Sequence, residues 1–205
     1  MIGYRVFEAK LVYDRRMATK GSTQVVRVVD YDPEWPNRFA ELRERILPAV
    51  ADFALAIEHV GSTSVPGLAA QSIIDVDVVI PSPEELPVAA ARLWRLGYRH
   101  EGDLGVKDLE VFNPPASMPA NRLYVCSSES AALRGHFAFR DLLRADASLA
   151  EAYVALKKDL ESRYKDDLER YMAAKSEFIL SVLARHGFSE SAISAMRASH
   201  QKLSS

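Results

Sequence analysis

The sequence predicts a mixed α/β (α+β) protein: a mixed β-sheet packed with helices, followed by a helical C-terminal part. Three observations carry that expectation. Residues 72–80 are dominated by Ile and Val (Ile73, Ile74, Val76, Val78, Val79, Ile80), the composition of a buried strand. Shorter strand-like runs stand at 25–29, 54–60, 98–101, 109–112 and 122–126, interleaved with helix-period segments at 34–50 and 84–96. From residue 129 onward the character changes, and 131–145, 148–164, 166–186 and 189–200 read as helices with almost no strand signal.

Taken in order, residues 25–29 are a β-branched run and a first strand. Residues 30–33 are a turn, with Asp32 a helix N-cap and Pro33 at the first helical position. Trp35, Phe39, Leu42 and Ile46 recur at helical spacing, which makes 34–50 amphipathic, and Pro48 sharpens its end. The strand at 54–60 runs into Gly61-Ser62-Thr63-Ser64-Val65-Pro66-Gly67, which is loop chemistry. Pro81-Ser82-Pro83 stops the strand at 72–80. Leu86, Ala90, Leu93 and Trp94 give 84–96 its helical period, and Gly97 suits a C-terminal turn. A proline-rich loop at 113–119 separates the last two strands. The expected organisation is a variable leader at 1–24, an α/β core at 25–128 and a helical region at 129–205 packing on that core.

The 205 residues are 48% apolar and 26% charged, an ordinary globular composition. A formal charge of −2 gives no global basic field, which argues against nucleic acid as a partner. The single cysteine, Cys126, forms no internal disulfide and fits a reducing compartment. No apolar stretch approaches the roughly 20 residues that span a bilayer, and residues 1–24 lack the pattern of a secretory signal. A cytoplasmic protein is the expectation. The five histidines have no zinc-like spacing among themselves or with Cys126, and there is no Walker loop or G-x-G-x-x-G.

The chemistry concentrates at two places. Alternation along a strand puts Asp75 and Asp77 on one face and Val76 and Val78 on the other. Two carboxylates on a strand of Ile and Val repel each other and lose hydration, which pushes their pKa values up. A Mg²⁺ or Mn²⁺ between them removes that penalty, because hard cations prefer oxygen ligands. Upstream, Gly61-Ser62 follows a strand, so backbone N–H groups can approach a phosphate closely while Ser62, Thr63 and Ser64 add hydroxyls. Either feature alone is commonly structural. Strand, Gly-Ser turn, short connection and a strand carrying D-x-D form a compound pattern that chance rarely supplies.

That pattern resembles the nucleotidyltransferase superfamily, and more closely its GrpB branch. The resemblance is carried by Tyr31-Asp32-Pro33-Glu34-Trp35, by His59 through Leu68, and by Ile73-Ile74-Asp75-Val76-Asp77-Val78. It continues in Asn121-Arg122-Leu123-Tyr124-Val125-Cys126, in Phe139-Arg140-Asp141-Leu142-Leu143-Arg144, and in Tyr153 with Lys157 and Tyr171 with Lys175. The family implies a nucleotidyltransferase-type α/β core, and such domains also occur fused to dephospho-CoA kinase. The wider superfamily implies metal-dependent nucleotidyl transfer from a nucleoside triphosphate to a hydroxyl. This chain departs from the family pattern by Gln71-Ser72 where Lys-Pro is common, by Leu109-Glu110 where a basic pair is usual, and by Asn121 and Tyr124 where histidines are frequent. Those changes remove positive charge from the expected phosphate side.

The superfamily also implies a third acid on a neighbouring strand. Glu110 is the first candidate, with Glu58 and Asp103 next. In the helical region His136 and Arg140 share a face one turn apart, either as phosphate contacts or, for Arg140, in an ion pair with Asp141. Lys157 and Lys175 each follow a tyrosine by four, either lining the cleft or lying over the ring. Two readings result. One is a Mg-dependent enzyme with a nucleoside triphosphate or other phosphate-bearing small molecule on Gly61 and Ser62. The other is a non-catalytic domain that binds a nucleotide or a protein partner.

Overall fold

The computed structural model describes residues 25–103 and 105–203, with the side chains of α6 described as far as residue 197. The expected leader at 1–24 lies outside the described residues. Five strands and six helices follow the order α1 (Trp35–Val50), β1 (Ala56–Val60), β2 (Ile74–Ile80), α2 (Leu86–Arg95), β3 (Arg99–Gly102), β4 (Leu109–Asn113), β5 (Asn121–Ser127), α3 (Ala131–Ala145), α4 (Ala147–Arg163), α5 (Leu168–Arg185) and α6 (Glu190–Leu203). The strands form one mixed sheet in the order β1-β2-β5-β4-β3. The β2–β5 pair is parallel and the other three pairs are antiparallel. The fold is therefore the mixed α+β architecture expected from the sequence.

The sheet is covered on both faces. On one, Ile74, Val76, Val78 and Ile80 of β2 join Leu123 and Val125 of β5 and Phe112 of β4. They meet Trp35, Leu42, Ile46 and Val50 of α1 and Ala89 and Leu93 of α2, all buried. Each large apolar side chain so buried contributes about 1.5–3 kcal/mol, which is what holds the two helices to the sheet. On the other face, Val79, Leu109, Val111 and Cys126 lie against Ala132 and Leu133 of α3. Helices α4, α5 and α6 then close over α3 and over Val65 and Leu68, the loop that leaves β1. Among the described residues, no helix is long and apolar enough to cross a membrane.

Two local expectations are corrected. Residues 25–29 do not form a strand. Val29 makes a single isolated bridge to Ala70, and Val26 donates to the Lys165 carbonyl instead. Helix α1 starts at Trp35, with Pro36 in its first turn, rather than at Pro33. Asp32 still organises the entry: it accepts from the Glu34 N–H at 2.9 Å and pairs with Arg38 at 2.8 Å. Trp35 is fully buried and its Nε1 donates to Ser72 Oγ at 3.2 Å. The Tyr31–Trp35 motif thus anchors α1 to the segment that leads into β2.

Candidate functional site

Register decides which side chains meet. Val60 and Arg122 flank Asp75 across β1 and β5, while Glu58 and Tyr124 flank Asp77. Paired residues share a face, so all six project from the face that α3 covers. Asp75 points at the Gly61–Ser62 bend. A Cβ added to Gly61 would stand 2.2 Å from Asp75 Oδ2, and Gly61 has φ +68°. Only glycine admits both the left-handed backbone and a carboxylate at that distance. The bend continues as a short 3₁₀ turn over Ser62–Ser64. Among the described residues, the backbone N–H groups of Ser62 and Thr63 have no hydrogen-bond acceptor.

The two aspartates differ in environment. Asp75 keeps 22% of its side chain exposed, with Arg122 Nη1 at 3.9 Å from its Oδ1. Burial pushes its pKa above the ordinary carboxylate value, against the opposing charges of Arg122, Lys175 and His136. Asp77 is fully buried. His136 Nδ1 lies 2.9 Å from Asp77 Oδ2, and with a carboxylate as partner the imidazole is the donor. Burial opposes the imidazolium, yet the charge and hydrogen bond of Asp77, helped by Asp75, hold the His136 pKa above its usual value. Asp77 Oδ1 is buried with no hydrogen-bond partner. An orphaned carboxylate oxygen costs about 1–3 kcal/mol and is satisfied by a cation or a donor brought from outside.

Two lysines complete the surroundings, Lys157 buried and Lys175 half-buried. Lys157 is 2% exposed and donates to Ser62 Oγ at 3.3 Å and, by a short bond, to the Ala69 carbonyl. Its Nζ lies 4.5 Å from the centre of the Tyr153 ring. Burial, and then the charge of Lys175, bring its pKa down to about 7. Lys175 lies over Tyr171 at 5.7 Å, and burial with the charge of Arg122 takes it to about 8 despite Asp75. Neither lysine is in an ion pair with a carboxylate among the described residues. A buried ammonium such as that of Lys157 is expensive without a counter-charge, and a bound anion would supply one.

The remaining candidates fall elsewhere. Glu110 pairs with Val125, on the opposite face from the aspartates, and binds His100 Nε2 at 2.7 Å, so it is removed as the third acid. Asp103 is exposed and accepts from the Gly105 N–H. Glu58 shares the aspartates' face but is paired with Arg140 at 3.1 Å. Among the described residues, no group of three or more His, Cys, Asp or Glu side chains is placed to hold a metal. The donor set is two carboxylates, which suits a Mg²⁺ or Mn²⁺ completed by substrate phosphates and water rather than an all-protein cage.

The hydroxyls of Thr63 and Ser64 turn inward. Thr63 Oγ1 donates to the Ile73 carbonyl, and Ser64 Oγ to the Gly61 carbonyl at 2.6 Å. Because its proton is so used, Thr63 accepts from His59 Nε2 at 3.1 Å. Burial, then Arg144 and Arg140, hold His59 down at about 4 and therefore neutral. These groups shape the bend, and Ser62 is the hydroxyl that stands beside Lys157. Arg140 is spent on Glu58, the His59 carbonyl and Asp141. The sequence alone assigns no role to Arg122 or Arg144. Arg122 had one usable signal, the same two-residue alternation with Tyr124 that links Asp75 to Asp77. A separate open groove of about 1130 Å³ runs beside Leu68 and the α3–α4 junction, and neither aspartate nor either of these lysines lines it.

A five-stranded sheet with this bend and acidic strand is a nucleotidyltransferase-like fold. Cid1 poly(U) polymerase, solved with the UTP analogue UMPNPP, superposes with a TM-score of 0.51 at 16% identity, covering 76% of this chain and 50% of that one. The chain belongs to the GrpB family: the model for GrpB protein matches residues 25–185. The conserved protein GrpB from Enterococcus faecalis superposes with a TM-score of 0.69 at 28% identity, covering 78% of this chain and 99% of that one. UPF0157 protein YqkA of Bacillus subtilis (strain 168) is 30% identical over 154 residues, 75% of this chain, and the match spans 45% of YqkA. A dephospho-CoA kinase of Mycolicibacterium paratuberculosis is 29% identical over 187 residues, 78% of this chain and 46% of that protein.

Proposed function

We propose that this chain is a cytoplasmic, metal-dependent nucleotidyltransferase that takes a nucleoside triphosphate and passes its nucleotidyl group to a hydroxyl acceptor. One observation carries the reading. Asp75 lies against the Gly61–Ser62 bend while Asp77, on the same strand face, holds a buried oxygen with no partner. Asp75 and Asp77 would hold Mg²⁺ or Mn²⁺. That ion, when bound, supplies neutralisation of phosphate charge. The chain's own groups do the rest. The Ser62 and Thr63 amides and the Ser62 hydroxyl receive phosphate oxygens, and Lys157 and Lys175 supply the positive charge behind them. His136 fixes the Asp77 carboxylate so that Oδ1 is the free oxygen.

The test is calorimetric titration of MgATP, MgGTP and MgUTP into the wild-type chain and Asp75→Asn/Asp77→Asn. Binding that survives the double change undamaged removes this reading. Transfer itself is read by pyrophosphate release in the presence of candidate hydroxyl acceptors.

A second reading, a nucleotide- or partner-binding domain without catalysis, is favoured by one feature. The positions on β5 beside the aspartates hold Arg122 and Tyr124 where a third carboxylate would complete the acidic set. The related stretch within a dephospho-CoA kinase supports the same reading. Nucleotide binding with no pyrophosphate release across acceptors selects it.

A further inference from the structure

Helix α3 carries His136, Arg140 and Arg144 at intervals of four, so the three form one stripe. All three reach the strand-and-bend segment that builds the site. His136 takes Asp77. Arg140 Nη1 donates to the His59 carbonyl at 3.2 Å. Arg144 donates twice to the Ser64 carbonyl, from Nη2 at 2.7 Å and from Nε at 3.3 Å. His59 and Ser64 stand on either side of Gly61 and Ser62. Asp141 lies between the two arginines, 2.7 Å from Arg140 Nε and 3.6 Å from Arg144 Nη1, and holds both guanidinium groups in register.

The bend is also held from within and below, by the Ser64 hydroxyl on the Gly61 carbonyl at 2.6 Å, by Thr63 Oγ1 on the Ile73 carbonyl and by Lys157 on Ser62 Oγ. Gly61 is in the left-handed region, where glycine is free to leave, and the turn is closed by the Ser64 and Val65 N–H groups on Gly61 and Ser62 carbonyls at 3.3 and 3.2 Å, near the long end for such bonds. A charge-assisted donor on each flanking carbonyl is stronger than either. We infer that Arg140 and Arg144 are positioning residues: α3 grips the outward carbonyls of the 59–64 segment and so keeps the Ser62 and Thr63 amides aimed inward for an anionic oxygen. The gripping stands on the bonds just given. The identity of the anion as phosphate rests on the reading under Proposed function.

Amide hydrogen exchange and titration with inorganic tripolyphosphate separate the two. Arg144→Met keeps the aliphatic stem and removes the donors; Arg144→Lys restores one. Arg134→Met is the control, an exposed arginine on the same helix that donates to the Glu129 carbonyl. Arg144→Met is expected to speed exchange of the Ser64 and Val65 amides at least tenfold and weaken tripolyphosphate at least tenfold, with Tm within a few degrees of wild type. Arg144→Lys recovers part of both, and the control moves neither. Unchanged exchange with unchanged affinity overturns the inference. Weaker affinity with unchanged exchange also overturns it, because Arg144 is then a direct ligand contact. Faster exchange in a chain whose wild type binds no tripolyphosphate keeps the grip and removes the phosphate reading.

Discussion

On one side of β2, Ile74, Val76, Val78 and Ile80 are each 2% exposed or less and meet apolar side chains from α1 and α2. On the other, Asp75 and Asp77 meet an imidazole, an arginine and a glycine bend, with two lysines behind. The backbone hydrogen bonds serve both sides equally, so the contrast lies wholly in side chains one residue apart. It teaches that the charged side is tolerated because the dry side supplies the stability. The carboxylates and the buried Lys157 each cost free energy that the apolar contacts opposite must offset. Reversing or erasing that asymmetry gives the sharpest experiments.

The largest effect is expected from Val76→Asp, which places an unpaired carboxylate on the dry side at a fully buried position. About 4 kcal/mol or more of stability should go, enough to unfold the chain or leave it insoluble, as circular dichroism would report. Gly61→Ala comes next. Its Cβ would collide with the Asp75 carboxylate, so nucleotide affinity should fall a hundredfold or more and stability by about 2–3 kcal/mol in denaturant melts. Gly67→Ala is the matched comparison, with a similar backbone angle of +79° and nothing within 4 Å, and should cost only about 1–2 kcal/mol and no affinity. Asp77→Asn should abolish metal-dependent nucleotide binding while changing stability by about 1 kcal/mol, since the amide still reaches His136.

A smaller, pH-dependent effect follows from Lys157. Its pKa in the fold, about 7, lies below the ordinary 10.5. Between those values the unfolded chain binds the extra proton, so stability rises as pH climbs from about 7 toward 10.5. Lys157→Met should flatten that rise in melts at several pH values. Anion binding runs the other way: with Lys175 also titrating at about 8, tripolyphosphate affinity should weaken tenfold or more between pH 6.5 and 9. Smallest of all is Glu110→Gln. On the far face with His100, it should leave nucleotide affinity within a factor of two and stability within about 0.5 kcal/mol.

The amphipathic and β-branched periods made most elements legible. The segment expected as a helix at 131–145 is α3, Ala131–Ala145, because Ser130 caps it and Asp146 ends it with no competing tertiary demand. The strand expected at 72–80 is β2, shortened to Ile74–Ile80. Where local pattern competed with tertiary contact, the pattern lost. Among the described residues, the β-branched run at 25–29 has no neighbouring strand to pair with, apart from the bridge at Val29, and Val26 is drawn under Leu160 and Tyr171. Glu110 was misplaced for a related reason. Side chains alternate faces, so a strand's inward set depends on its register with neighbours, and a shift of one residue inverts the answer.

Chain order alone established that Asp75 and Asp77 share a face, that a glycine-led bend precedes them, and that helices follow. Those facts depend on periods of 2 and 3.6 residues and on the conformations open to glycine, all of them local. Which cations surround the acids, which acid lies opposite, and what holds the bend were settled by folding. Arg122 reaches Asp75 through a parallel pairing 47 positions away, and Arg144 reaches Ser64 across 80. Contacts at such separations are fixed by how the sheet is ordered and how α3 lies on it, and no local period encodes either.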